Sequence, residues 1–218
     1  MFNPGNSFAD QLFIAVTFLP LLPGMLIFFQ KSYGREPLNL LLIICLANFI
    51  RDLPVHLYML EPGNQHIIDN VFYTIELVLF ARLFRTALPK QIRDIQTILL
   101  VAYLSSLTTW LTIEGWTTGI AGLEIIQSGV LIGLLLIDLP FLIQDKGLYI
   151  LRSPLFWIAG GTLFYFLILF LLQCVTSCRP LLAEDKIFLS ITTLIRYTMY
   201  MPAVLYGREA MPAEEKSL

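Results

Sequence analysis

Arg51, Glu76 and Arg196 lie deep inside long apolar runs, where a charge is costly unless something answers it. Asp52 follows Arg51 directly. Asn48, Asp52 and His56 recur at i, i+4 and i+8, the spacing that stacks side chains on one helix face. His66, Asp69, Tyr73 and Glu76 recur at i, i+3, i+7 and i+10 and form a second stripe, with Asn70 beside it. Tyr197 and Tyr200 accompany Arg196. Such residues could do three kinds of chemistry. Two arginines can anchor an anionic group, with Tyr73 and Tyr200 lining its site. Asp52 or Glu76 can carry a proton, because burial and a neighbouring arginine pull a carboxyl in opposite directions. A carboxylate can also serve as general base on a lipid. Against all three stands a structural reading, in which the same groups only lock helices together by buried ion pairs.

The elements that must hold these residues are membrane helices. The chain has 218 residues, of which 57% are hydrophobic and 14% charged, with a mean hydropathy of +0.75. Soluble domains carry about 25% charged residues, so this chain has too few to cover a water-facing surface. With a net charge of −2, no basic face argues for nucleic acid. The opening "MFNPGNSFAD" lacks the positive start of a secretory signal, so the first apolar block reads as a retained helix. Apolar windows of about 20 residues predict an all-α bundle of seven spans in one domain. They cover residues 11–30, 38–60, 66–88, 92–113, 120–144, 154–175 and 187–206.

Lysine and arginine set the expected direction. Lys31, Arg35, Arg82, Arg85, Lys90, Arg93, Lys146, Arg152, Arg208 and Lys216 fall on one side, and only Arg179 and Lys186 on the other. That bias puts the N-terminus outside and the C-terminus in the cytoplasm, in a multi-pass protein of the inner membrane. Arg51, Glu76 and Arg196 then lie nine or ten residues from the outer ends of the second, third and seventh spans. At 1.5 Å per residue all three sit roughly 13–15 Å deep, at one level. The tight "EPGNQ" turn makes the second and third spans antiparallel neighbours. The expectation is an outward-facing polar cavity between spans two, three and seven, with two arginines set against Asp52, Asp69 and Glu76. Pro54 and Pro202 would loosen their helices near this level.

The remaining signals are plainer. Cys45 reads as apolar filler, and Cys174 and Cys178 form a C-x3-C that specifies neither a disulfide nor a metal. Asp138 is expected to snorkel to the cytoplasmic interface. "SSLTTW" reads as helix–helix glue, and Gly160 and Gly161 as a close-packing site. Gln127, Tyr165 and Gln173 are within reach of the cavity wall.

"NVFYTIELVLFARLF" (Asn70–Phe84) and "SPLFWIAGGTLFYF" (Ser153–Phe166) resemble segments of a seven-helix bacterial membrane family found alone or as the input region of sensor histidine kinases. Tyr73, Glu76 and Trp157 are the matching positions. The resemblance implies sensing or membrane signalling, here through a partner protein because the chain lacks a kinase module. A retinal protein is excluded, since "IFLSITTLIRYTMYMPAVLY" offers no Schiff-base lysine. A zinc hydrolase with three histidine ligands is disfavoured, because the chain has two. The sequence therefore reads as a sensor or signalling subunit in contact with membrane lipids, a partner protein and a small ligand or ion, with no cofactor or metal. A small proton-coupled transporter and a lipid-modifying enzyme are the alternatives. The apolar inner halves of spans two and three favour sensing over transport.

Overall fold

The computed structural model describes residues 8–34, 36–56, 62–85, 88–115, 121–144, 147–176 and 182–209. Among them are eight α-helices and two 3-10 turns, and no strand. The first apolar block is two short helices, α1 (Phe8–Val16) and α2 (Leu21–Phe29). The long helices follow: α3 (Glu36–His56), α4 (Pro62–Arg85), α5 (Lys90–Glu114), α6 (Ala121–Gln144), α7 (Pro154–Thr176) and α8 (Ala183–Glu209).

Local chemistry explains the ends. Residues 17–20 close 3-10-type bonds, such as Leu19 N–H to the Val16 carbonyl at 3.1 Å, which breaks the first block in two. Pro89 stands before α5 with extended backbone, and Gly115 ends that helix at φ 92°, a left-handed conformation glycine adopts without strain. Glu184 and Asp185 stand in the first turn of α8, where the helix dipole favours negative charge. There the Asp185 carboxylate accepts the Leu182 backbone N–H at 2.9 Å. Pro202 sits inside α8 without ending it, because the helix runs on to Glu209.

Five segments are long and apolar enough to cross a membrane: Phe8–Phe29, Lys90–Ile113, Ile125–Ile143, Pro154–Thr176 and Ala183–Gly207. The other two long helices, α3 and α4, carry Arg51, Asp52, Asp69 and Glu76, and these charges dilute their apolar character. With 21 and 24 residues, each is still about 30 Å long or more. The outer surface is apolar all round: Phe18, Ile50, Ile98, Val101, Leu136, Leu171, Phe188 and Leu205 are all exposed. Arg51, Glu76 and Arg196 are buried within. Apolar outside and charged inside is the arrangement a bilayer selects. The protein is an all-helical, multi-pass membrane protein.

α7 packs along both α6 and α8, while α1 lies against α8 and α3 fits between α2 and α4. One half of the core is a dense apolar block in which Phe80 stacks on Phe84 and meets Phe166 edge-on. Cys45 is fully buried there, as a small apolar filler would be. Gly161 brings α7 and α8 together: a Cβ at that position would lie 3.0 Å from the Met199 Cβ and 3.1 Å from the Arg196 carbonyl oxygen. Lys186 ties the start of α8 to α1 through Asp10, at 2.8 Å.

Two sequence expectations change. Asp138 does not snorkel; it is fully buried, and Gln96 of α5 donates to its Oδ2 at 3.2 Å. A neutral amide on the neighbouring helix supplied the partner that single-helix reasoning sought at the interface. The hydroxyls of "SSLTTW" do not glue helices within this chain. Ser105, Ser106, Thr108 and Thr109 are exposed and donate to carbonyls of their own helix at 2.7–2.9 Å. A helical carbonyl three or four residues back is always in reach of such a hydroxyl, so no partner helix is required.

Gly161→Leu should destabilise the folded protein by about 1–3 kcal/mol, because the Arg196 backbone cannot give way. Gly133→Ala, where a Cβ would meet nothing within 4 Å, should be neutral to within about 0.5 kcal/mol. Thermal unfolding in detergent, followed by the loss of the monodisperse peak in size-exclusion chromatography, distinguishes the two.

Candidate functional site

The three charged residues expected at one level meet where α3, α4 and α8 face one another. Glu76 on α4 is the centre. Its Oε1 accepts from Arg196 Nη2 on α8 and from Asn48 Nδ2 on α3, the latter at 2.9 Å. One carboxylate oxygen thus joins three helices. Glu76 and Arg196 are only 3% and 2% exposed, so the pair is cut off from both solvent and lipid.

The guanidinium of Arg196 is held further by a second hydrogen bond and by aromatic rings. Its Nε donates to the Tyr200 hydroxyl oxygen at 2.8 Å. Tyr200 Oη in turn lies 2.7 Å from Thr162 Oγ1 on α7, so the phenol proton has an acceptor once the oxygen takes the arginine bond. The rings of Tyr165, Phe166, Tyr197, Phe80 and Tyr200 surround the cation, with centroids between 4.6 and 5.7 Å from its central carbon. Ring faces are the negative ends of the aromatic quadrupole, and in a dry setting each such contact offsets part of the lost hydration. Arginine suits this cage better than lysine, because a flat, delocalised cation can stack and form directed hydrogen bonds at once.

Arg51 forms a second cation site beside the first. Its Nε donates to Asp52 Oδ1 at 2.7 Å, and its guanidinium lies 5.0 Å from the Tyr73 ring centroid. Arg51 also acts electrostatically on Glu76. The charges therefore balance within the layer, Arg51 against Asp52 and Arg196 against Glu76. Asp69, the third carboxylate expected in the layer, stands half-buried two turns from Glu76 along α4.

Glu76 Oε2 is buried and makes no hydrogen bond to the described residues. The Glu76 side chain lines a small cavity with Tyr73 and Phe166 and with Gln127 and Ser128 of α6. Its volume is about 10 Å³, the space of a single water molecule. Gln127 stands close to the Tyr103 hydroxyl, and both of its amide heteroatoms lack a hydrogen bond of normal geometry. Ser128 donates to Gln173 Oε1 at 3.1 Å.

Of the sequence-nominated residues, Asn48, Arg51, Asp52, Tyr73, Glu76, Arg196 and Tyr200 come together. His56 ends α3, and its side chain and that of His66 lie outside the described residues, as do Cys178 and the turn at 57–61 that would form the outer mouth. Among the described residues, no group of three histidine, cysteine or acidic side chains could hold a metal. The outer mouth of the cavity expected between spans two, three and seven lies outside the described residues. At the level of Glu76 the Asn48, Glu76 and Arg196 side chains meet, and a small void lies on the α6 and α7 side of Glu76. The sequence points to Tyr165, Tyr197 and Tyr200 but not to Thr162, Phe80 and Phe166, which complete the surroundings of Arg196. Aromatics are common in membrane helices, and only the close α7–α8 approach at Gly161 marked which of them would meet.

The chain matches no family model, no curated protein sequence and no solved structure. The reading of the site rests on its geometry.

Removing one partner of a buried ion pair leaves the other charge uncompensated, at a cost of about 3–5 kcal/mol. Arg196→Met and Glu76→Gln should each lower the unfolding midpoint strongly. The double variant should lose less than the sum of the two. Tyr200→Phe, which strands the Arg196 Nε–H and Thr162 Oγ1, should cost about 1–3 kcal/mol. A double-mutant cycle by chemical unfolding in mixed micelles measures all of these.

Proposed function

We propose that the chain is a seven-span sensor or signalling subunit, in which Glu76 is the latch of a movable helix contact. Its N-terminus lies outside and its C-terminus in the cytoplasm of the inner membrane, and it passes its state to a partner membrane or signalling protein. The observation that carries this reading is the double loading of one oxygen: Asn48 of α3 and Arg196 of α8 both bind Glu76 Oε1. A change at that one atom is felt on three helices. Oε2, with no hydrogen bond to the described residues and a water-sized space beside it, leaves room for the carboxylate to turn or to take a proton. Two-state elements of this kind convert a local charge change into a shift of helices.

The dense packing also argues for a latch over a large binding pocket. A drug-sized ligand needs about 300–1,000 Å³, far more than the space beside Glu76. The signal is therefore a proton, a small ion, or a ligand acting from the outer ends of α3 and α4. The resemblance of Asn70–Phe84 and Ser153–Phe166 to a sensory membrane family points the same way.

A proton-coupled carrier is the second reading, favoured by the buried Glu76 carboxyl. On the inner side of Glu76, however, Phe80, Leu83 and Phe84 are all buried in apolar packing, which offers a proton no polar path. A lipid-modifying enzyme would need the carboxylate within reach of lipid, and Glu76 is enclosed.

Spin labels on the ends of α4 and α8, measured by pulsed electron resonance in nanodiscs, test the latch. Wild-type protein should give one main distance. Glu76→Gln, which cannot hold Arg196 by charge, should show a second, discrete population while remaining folded. A single unchanged distance in a folded Glu76→Gln protein would make the network a static staple. Proton uptake into liposomes that depends on Glu76 would establish the carrier instead.

A further inference from the structure

The basic end of α4 faces a groove that the ion-pair layer does not use. It runs between α4 and α5, with a volume of about 220 Å³. Its lining changes character along its length. Val78, Ala81 and Leu100 make an apolar stretch, and Arg82 and Arg85, in the last turn of α4, bound it together with Gln96 and Thr97. Both arginines are exposed, and among the described residues Arg82 makes a long, exposed contact of 3.5 Å to Glu36.

From this lining we infer a binding site for an anionic phospholipid, its phosphate on Arg82 and Arg85 and an acyl chain along Val78, Ala81 and Leu100. Charge and polarity both select that occupant. An apolar stretch beside a pair of arginines matches an amphiphile with a negative head, and basic pockets between membrane helices recognise such headgroups. Guanidinium groups are suited to phosphate because they can bind it in a bidentate fork. Of the negative groups nearby, Glu36 meets Arg82 only through that long, exposed contact, which a phosphate can displace. Asp138 is buried behind Gln96, whose amide donates to it.

A larger recess on the same helix makes the contrast. It lies beside Ser105, Ser106, Thr109 and Trp110, with about 470 Å³ of space. That recess has no charge, and its hydroxyls already donate to their own backbone. Nothing there would hold an ionic headgroup. The α4–α5 groove alone pairs apolar length with positive charge among these described recesses.

The site also lies where the bundle is loosest. α5 makes only slight contact with α4, and its strongest polar tie among the described residues is the Gln96–Asp138 hydrogen bond. A lipid in the groove would fasten α5 to the bundle as well as being held by it. The proposal stands apart from the latch, because neither Arg82 nor Arg85 touches Glu76.

Native mass spectrometry of the whole protein, titrated with phosphatidylglycerol, cardiolipin or phosphatidylcholine, tests it, with thermal unfolding in parallel. The wild type should retain the two anionic lipids preferentially and gain thermal stability from them. Arg82→Gln with Arg85→Gln should weaken anionic-lipid binding by roughly 30-fold, at about one order-of-magnitude step and a half for two lost surface charges. Arg152→Gln, which removes an exposed arginine away from the groove, should leave binding unchanged. Leu100→Trp should reduce lipid retention by filling the apolar stretch, with both arginines in place. Equal retention of phosphatidylcholine, or full binding by the folded double variant, would overturn the site. Displacement of the lipid by inorganic phosphate at equal concentration would show a free-anion site instead.

Discussion

The contact on which the rest of this bundle depends is the buried pair of Glu76 and Arg196. A lone charge at the centre of a bilayer costs several kcal/mol, and each of these two residues offsets that cost for the other. Their pairing fixes α4 against α8, and Asn48 draws α3 to the same carboxylate oxygen. The cage around the guanidinium then sets the demands on α7. Tyr165 and Thr162 must reach α8, and they can do so because Gly161 lets the two backbones approach. The glycine, the aromatic rings and the ion pair are parts of one solution to one desolvation problem.

The bundle divides along its length. At the charged level, polar contacts run from helix to helix through Asn48, Glu76, Arg196, Tyr200 and Thr162. Beyond it Phe80, Leu83 and Phe84 fill the space between helices with apolar atoms. A directional contact beside a dense, featureless one makes a natural fulcrum. The polar contact has discrete alternatives, since hydrogen bonds are made or broken, whereas the apolar packing tolerates small sliding. Under the proposed latch, a signal that unseats Arg196 from Glu76 would tilt α8 about the apolar block, a movement that needs little space beside Glu76.

α5 follows a different logic. It touches the bundle lightly, and its hydroxyl groups turn back on their own helix. Its hold on α6 comes through Gln96 and the fully buried Asp138, a carboxylate whose Oδ1 makes no hydrogen bond to the described residues. A helix held this loosely is shaped by what surrounds it, which is why the groove beside α4 is apolar along one part and basic at its end.

Much of this could be read from the chain alone. Composition settled the membrane environment, because too few charges cannot solvate a surface of this size. Helical spacing placed Asn48 beside Asp52 and Tyr73 beside Glu76, and rise per residue put Arg51, Glu76 and Arg196 at one depth. Periodicity and depth are properties of a single helix, so the sequence carries them. What it does not carry is which faces meet. The sequence alone points Asp138 to the interface, because its partner, Gln96, lies on another helix 42 residues away in the chain. The void fell on the α6 and α7 side of Glu76 because Arg196 and Asn48 packed into the space between α3, α4 and α8. The sequence by itself determined that charges would be buried at one level and would need each other. Only the tertiary structure decided that Glu76 serves two helices through one oxygen, because that choice depends on side-chain volumes and helix approach summed over the whole bundle.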